Sequence, residues 1–171
     1  MKHSLIRAFL FSLIVFLALN FLFYIIGYSV EDLLYLPLSR IAEHPTHIIY
    51  LITYPVNWFP WELIEDFISA SSLGFKIYTL GGFISFLIAA LIAGLMGGSI
   101  GNAFIGWLIT SGCFILLMIL MISIDPFNLG FICTMCTLDE GIVSILITGI
   151  VNTLIFGALV FVIALIKGRS D

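Results

Sequence analysis

The sequence predicts an all-α integral membrane protein with four transmembrane helices and a long outer loop containing short interfacial helices. The 171 residues are 62% hydrophobic and only 9% charged, with a mean hydropathy of +1.25. A soluble domain of this size cannot bury so much apolar surface. Apolar runs long enough to cross a bilayer as helices also recur along the chain. The length fits a single transmembrane domain, residues 1–171.

The spans follow from these apolar runs and from the breaks between them. The first run is about twice as long as the apolar region of a signal peptide, so we expect a retained helix. Residues 77–124 would form one helix of about 72 Å, more than twice the hydrocarbon thickness. We therefore expect the chain to fold back at Gly97-Gly98-Ser99 into a tight antiparallel hairpin, and Asp125-Pro126 to end the third span. The predicted spans are 5–28, 77–96, 100–124 and 141–166.

The predicted outer loop, residues 30–75, contains four of the five prolines, so no long helix can cross it unbroken. From Pro60 onwards, apolar residues recur at helical spacing with acids between them, which predicts an amphipathic interfacial helix over Pro60–Ser72. Pro60 suits its first turn and Gly74 its end. Residues 41–54 are expected to form a second short helix, either interfacial or re-entrant.

The distribution of basic residues predicts the orientation. Four spans place both termini on one side, and that side would hold Lys2, Arg7, Lys167 and Arg169, against only Arg40 and Lys76 opposite. Bases mark the cytoplasmic side, so both termini are expected inside a plasma membrane. All six tyrosines, together with Trp58 and Trp61, fall towards the outer end. Such aromatic residues favour the headgroup level, so we expect the loop to lie on the membrane as a cap.

Small residues at intervals of four predict a close helix contact. One row consists of Ala90, Gly94, Gly98 and Asn102, and Gly97 and Gly101 belong to a neighbouring row. These rows fit two alternatives. They could pack within the molecule, or they could contact another subunit.

The fourth span carries a polar face formed by Ser144, Thr148 and Asn152. An asparagine in hydrocarbon needs a hydrogen-bonding partner. One hypothesis is an interhelical hydrogen bond to Asn20, Asn102 or a backbone carbonyl. The other is a polar track that leads inward from Asp139 and Glu140.

Cys133 and Cys136 form a Cys-x-x-Cys pair just before the fourth span, on the predicted outer side. They could form a structural disulfide, remain plain thiols, or act in redox chemistry, since a following helix N-terminus can favour a reactive thiolate. In size, in its four helices with a long outer first loop, and in this pair, the chain resembles the vitamin K epoxide reductase type. The resemblance implies that Cys133 and Cys136 would be the redox pair. That family typically has a second pair in the first outer loop, where residues 30–76 contain no cysteine.

The net charge and the positions of the charged residues and histidines argue against several classes of function. A net charge of −4 argues against nucleic acid binding, and no acid or base lies within the spans after Arg7, which argues against ion translocation. No metal site is predicted, because His44 and His47 lie in a different loop from the cysteines. No cofactor is predicted, although an apolar groove could bind a lipid or a quinone.

The first functional hypothesis is therefore a small non-catalytic accessory subunit. Its partners would be membrane lipid and other integral-membrane subunits of a larger complex. The alternative is a membrane thiol-disulfide oxidoreductase that uses Cys133 and Cys136.

Overall fold

The structure, a computed structural model, describes residues 2–31, 43–132 and 136–168. Of the described residues, 89% are helical and none lies in a strand. In the described part of the chain, short 3₁₀ segments at Tyr54–Asn57 and Pro126–Phe131 accompany six α-helices. In chain order these are α1 (Lys2–Val30), α2 (His47–Thr53), α3 (Pro60–Ser69), α4 (Leu73–Met96), α5 (Ile100–Ile124) and α6 (Leu138–Gly168).

Within the described part of the chain, α1, α4, α5 and α6 are the four helices long and apolar enough to cross a membrane. This confirms the prediction of an all-helical chain with four apolar helices of spanning length. The turn between α4 and α5 lies at the predicted break. Gly98 adopts φ +65° there, a conformation that favours glycine, and the Ser99 hydroxyl accepts a hydrogen bond from the Asn102 N–H.

One predicted boundary is wrong. The amphipathic helix was expected to run to Ser72 and to end at Gly74, but α3 ends at Ser69. The Ser72 hydroxyl instead accepts the Phe75 N–H at 3.1 Å and caps the next helix. Gly74 therefore lies in the first turn of α4, where its missing side chain lets the backbone of α1 approach at Gly27.

The core joins the four long helices through one phenylalanine from each. Phe16 of α1 lies 4.1 Å from Phe114 of α5 and 4.8 Å from Phe86 of α4, measured between ring centroids. Phe86 in turn stacks on Phe156 of α6 at 5.0 Å. The most extensive helix contacts are between α1 and α4 and then between α5 and α6. The predicted α4–α5 hairpin is therefore joined by a short turn, but each of its helices packs more closely against another partner.

The loop between α1 and α3 differs from a cap that lies only on the surface. Its residues 32–42 are outside the described ones, but α2 and the following 3₁₀ segment enter the bundle between the long helices. Tyr50 and Val56 are buried there, and Pro55 packs against Gly82 of α4. We call residues 47–58 the inserted segment. The structure shows this segment packed among the long helices, and the choice between an interfacial and a re-entrant helix stays a prediction.

The insertion also changes the role of several tyrosines. Tyr24, Tyr50 and Tyr78 are buried inside the protein rather than arranged as a lipid-facing belt. By contrast, α3 exposes Trp61, and 53% of its surface is accessible. The side chains of Ile64 and Ile68 are exposed beside it, while Leu63 points inward. This amphipathic arrangement is what an interfacial helix requires, and the placement of α3 at a membrane surface stays a prediction.

Candidate functional site

The chemically richest part of the molecule is the end of the bundle where α1 and α5 finish and α4 and α6 begin. We call it the loop end, and the sequence predicts that it faces outward. It holds the inserted segment, a polar cluster and two cavities.

Asn152 holds the inserted segment in place. Its side-chain Nδ2 donates one hydrogen bond to the Val56 carbonyl at 3.0 Å and another to the Trp58 carbonyl at 2.9 Å. These carbonyls are freed where the chain breaks after Pro55. Asn152 lies about 21 Å along α6 from Leu138, near the middle of that helix. Buried non-helical backbone needs protein groups to satisfy its carbonyls, and one amide satisfies two carbonyls here.

A second anchor comes from α4. The Tyr78 hydroxyl donates to the Leu51 carbonyl at 2.8 Å, which satisfies a carbonyl at the end of α2. Asn152 and Tyr78 thus fix the two halves of the inserted segment to two different helices. Of the alternatives for Asn152, its partner is a pair of backbone carbonyls.

A polar cluster ties the start of α2 to the end of α5. The His44 imidazole Nδ1 lies 3.0 Å from an Asp125 carboxylate oxygen, and the His44 ring stacks on Phe127 at 3.9 Å. Below it, His47 Nδ1 lies 2.9 Å from the Asn128 Oδ1. The Thr46 hydroxyl links the two pairs, because it donates to Asp125 and accepts from the Asn128 amide.

Sequence reasoning missed this pairing. It considered the two histidines as metal ligands and rejected that role, and it used Asp125-Pro126 only as a helix stop. The available signal was the recurrence of two short polar motifs, HPTH and DPFN, each beside a helix end. Neither motif predicts a contact with the other, because that contact depends on how the loop enters the bundle.

The first cavity at the loop end, which we call the acidic cavity, has a volume of about 460 Å³. Its lining includes three acids of α3, two hydroxyl residues of the predicted polar face and an amide, namely Glu62, Glu65, Asp66, Ser144, Thr148 and Asn57. The polar track on α6 was expected to lead from Asp139 and Glu140. The acids that meet it come instead from α3, which is distant in sequence.

Acidic groups and an unpaired amide oxygen are partly buried in the acidic cavity. Burial, and then the neighbouring Glu65 carboxylate, raise the pKa of Asp66 above its usual range. Asn57 is 8% exposed, and its Oδ1 has no hydrogen-bonding partner among the described residues. Thr148 donates to the Ser144 carbonyl of its own helix at 2.9 Å. The cavity therefore offers oxygen acceptors and negative charge, which attract cations.

The second cavity, which we call the aromatic cavity, has a volume of about 360 Å³ and lies where α1 ends and α4 begins. Five aromatic residues and one carboxylate line it, namely Tyr28, Tyr54, Trp58, Phe75, Tyr78 and Glu31. The Glu31 Oε1 accepts the Gly74 N–H at 2.8 Å and the Ser72 hydroxyl at 2.9 Å. These bonds hold the pKa of Glu31 below its usual range, so it carries a negative charge at neutral pH.

The predicted small-residue row is divided between different partners. Ala90 and Gly94 are buried, and a Cβ on Gly94 would lie 2.8 Å from the Ile163 Cγ2 of α6. Because α4 ends at Met96, the row does not continue on one helix face. Gly98 lies in the turn beside Ser4 of α1, and the Asn102 amide donates to the Ser4 hydroxyl at 3.0 Å.

The neighbouring row divides in the same way. A side chain on Gly97 would collide with Ala103, whereas one on Gly101 would meet nothing within 4 Å. The row therefore packs inside the molecule at one position and leaves open space at the other.

Of the predicted cysteine pair, Cys133 lies outside the described residues. Cys136 is disulfide-bonded, whereas Cys113 is a free, half-buried thiol within α5. Pairing of Cys133 with Cys136 stays a prediction. The N-terminus of α6 is already capped, since the Thr137 hydroxyl accepts the Glu140 N–H at 3.4 Å and the Thr137 N–H donates to a Glu140 carboxylate oxygen at 2.8 Å.

No group of three or more His, Cys, Asp or Glu residues among those described is arranged to hold a metal ion. Comparison of the chain with protein-family models, with curated proteins and with solved structures finds no match. The fold and its site therefore define only the structural class, which is an all-helical protein with four helices able to span a membrane.

Proposed function

We propose that this chain is a small non-catalytic integral-membrane subunit that packs against other helices of a larger complex. It lies in the plasma membrane with both termini in the cytoplasm. The orientation rests on the distribution of basic residues in the sequence. The subunit contact rests on one observation, an open stripe along α5.

Gly101, Ile105, Leu108 and Gly112 share one face of α5, since they follow one another at helical spacing. A Cβ at either glycine would meet no atom within 4 Å. Ile105, Leu108 and then Leu116 are exposed along the same stripe. Glycines flanked by large apolar side chains let a second helix approach closely in lipid. The stripe therefore fits a helix of another subunit.

The use of polar side chains within the spans supports a structural role. Ser12 of α1 and Thr110 of α5 form a hydrogen bond of 2.7 Å across the bundle. The indole N–H of Trp107 donates to the Thr153 carbonyl of α6 at 3.0 Å. Together with the hydrogen bonds of Asn152, these contacts show that polar groups in three of the long helices join one element to another.

The test is a substitution that fills the stripe without disturbing the fold. Gly112→Leu should displace the neighbouring subunit, which is measured as loss of the complex by native mass spectrometry after gentle detergent extraction. Ala158→Leu is the matched control, because Ala158 is an exposed small residue on α6. Equal retention of the complex in both variants, at unchanged melting temperature, would show that the α5 stripe faces lipid.

Orientation is tested separately with labelling reporters. One reporter after Asp171 and one near Ser71 should report opposite sides of the membrane, with the C-terminus cytoplasmic. Reporters found on the same side would rule out four crossings.

One observation favours the thiol oxidoreductase as a second candidate, because Cys136 is disulfide-bonded and lies two residues before α6. The surrounding charge opposes it. Asp139 and Glu140 occupy the first turn of α6, and carboxylates near a thiolate disfavour it. Non-reducing gels of the Cys133→Ala and Cys136→Ala variants decide between them. A mixed disulfide with a partner, formed by one variant only, would establish exchange chemistry and overturn the non-catalytic role.

A further inference from the structure

The walls of the aromatic cavity are arranged as a cage. The Trp58 ring lies nearly perpendicular to three neighbours, at 68° to Tyr54, 72° to Phe75 and 71° to Tyr78. The centroid distances are 5.0, 5.7 and 6.3 Å. Rings at such angles present both faces and edges to one half-open cavity. A cation within about 6 Å of an aromatic face is attracted by the ring quadrupole.

The charge around this cage is negative. Glu31 contributes a carboxylate to the lining itself. Tyr54 lies within the field of Asp66 and Glu62, and burial, followed by those two acids, raises the pKa of its hydroxyl, so that Tyr54 remains neutral. Among the described residues that line the cavity, none is basic. The site therefore complements a positively charged group.

The apolar lining selects among cations. A primary ammonium group carries three N–H donors, and burying donors without acceptors costs free energy. A trimethylammonium group has no N–H donor, and its methyl groups can pack directly against aromatic rings. Cages of aromatic residues are the usual protein sites for quaternary ammonium groups.

We infer that the aromatic cavity binds the trimethylammonium headgroup of a phosphocholine lipid. The volume of about 360 Å³ is at the small end of the range of ligand pockets, which suits a headgroup rather than a whole lipid. In this arrangement the Trp58, Tyr54 and Tyr78 rings surround the cation. Glu31 balances its charge from the rim.

The rim identifies the source as a lipid rather than a free solute. The cavity lies at the ends of two span-length helices, which is the level of headgroups if these helices cross a bilayer. Beside it, Val30, Leu73 and Phe75 expose large apolar side chains. These can contact the glycerol and acyl region of a lipid whose headgroup enters the cage. The inference is independent of the subunit contact proposed along α5.

The test measures lipid binding to the full chain in dodecyl maltoside by native mass spectrometry. Phosphatidylcholine, phosphatidylethanolamine and phosphatidylglycerol with identical acyl chains are titrated in competition. We expect phosphatidylcholine to bind about tenfold more tightly than phosphatidylethanolamine, and phosphatidylglycerol to bind most weakly of the three. Tetramethylammonium should compete only weakly, because it cannot reach the rim.

Two variants assign the binding to the cage. Trp58→Leu removes the shared wall and should weaken phosphatidylcholine binding by about three- to thirtyfold. Glu31→Gln keeps an oxygen acceptor for Ser72 and Gly74 but removes the charge, so it should weaken binding while the melting temperature stays close to that of the unmodified protein. If Trp58→Leu does not fold, Glu31→Gln alone decides. Trp61→Leu is the matched control, since Trp61 stacks on Phe59 outside this cavity.

Three results would overturn the inference. Equal binding of all three lipids would show that the headgroup is not recognised. Equal losses in the Trp58→Leu and Trp61→Leu variants would show that the cage is not the site. Tetramethylammonium binding as tight as that of phosphatidylcholine would assign the cage to a free quaternary ammonium compound instead of a lipid.

Discussion

Replacing Asn152 by leucine removes the amide that holds the inserted segment. Leucine is similar in size, so the change leaves no large cavity. It removes the two hydrogen bonds together with the buried Asn152 Oδ1, which has no hydrogen-bonding partner among the described residues. The Val56 and Trp58 carbonyls would then remain buried without these donors, which lie at 3.0 and 2.9 Å in the structure. Measured hydrogen bonds within membrane proteins average about 0.6 kcal/mol and reach about 1.7. Two of them predict a loss of about 1 to 3.5 kcal/mol in the free energy of unfolding.

The assay is reversible unfolding in detergent by added dodecyl sulfate, followed by circular dichroism and tryptophan fluorescence. Thr153→Val is the matched control on the next residue of α6. Its hydroxyl donates to the Gly149 carbonyl of the same helix at 2.7 Å, so it joins no elements. We expect the control to change stability by less than about 0.5 kcal/mol. If Asn152→Leu costs no more than Thr153→Val, the amide is not what holds the inserted segment.

Three further outcomes follow from the described contacts. Gly94→Leu should lower the free energy of unfolding by about 1 to 3 kcal/mol, measured in the same assay, because Ile163 already occupies the space beside it. The raised pKa of Asp66 means that its ionised form is less favourable in the folded state than in the unfolded state. Stability should therefore fall as the pH rises towards that folded-state pKa, and Asp66→Asn should be more stable than the unmodified protein at pH 7, a difference that disappears in acid below about pH 4. The double variant Cys133→Ser, Cys136→Ser should remain folded and lose less than about 3 kcal/mol, measured by thermal melting with and without reductant, because a bridge across so short a loop removes little chain entropy.

The long helices could be predicted because their signal is local. Apolar runs of spanning length, the Gly97–Ser99 turn and the Asp125-Pro126 stop can each be recognised without knowing what lies nearby. The end of α3 was misjudged for the same reason. Gly74 resembles a helix stop in isolation, but the Ser72 cap and the approach of Gly27 place it inside α4.

The contacts at the loop end could not be predicted, because each one joins residues distant in sequence. Asn152 and Val56 are separated by 96 positions, and His44 and Asp125 by 81. The sequence shows that a mid-span asparagine needs a partner, but many carbonyls could provide one. The aromatic residues were likewise expected at the headgroup level, because their positions in the sequence do not show whether protein or lipid surrounds them.

A single structural event connects these unpredicted features. When α2 enters the bundle, the chain must turn back, and Pro55 with the 3₁₀ segment makes that turn. The turn leaves buried carbonyls without a helical hydrogen-bonding partner. Asn152 satisfies the carbonyl of Trp58 and so fixes its backbone, and among the described residues Trp58 alone lines both the acidic and the aromatic cavity. The amide that makes the insertion tolerable thus also positions the wall between the two cavities. The polar face of α6 and the aromatic cage are parts of one arrangement, although no short stretch of the sequence contains both.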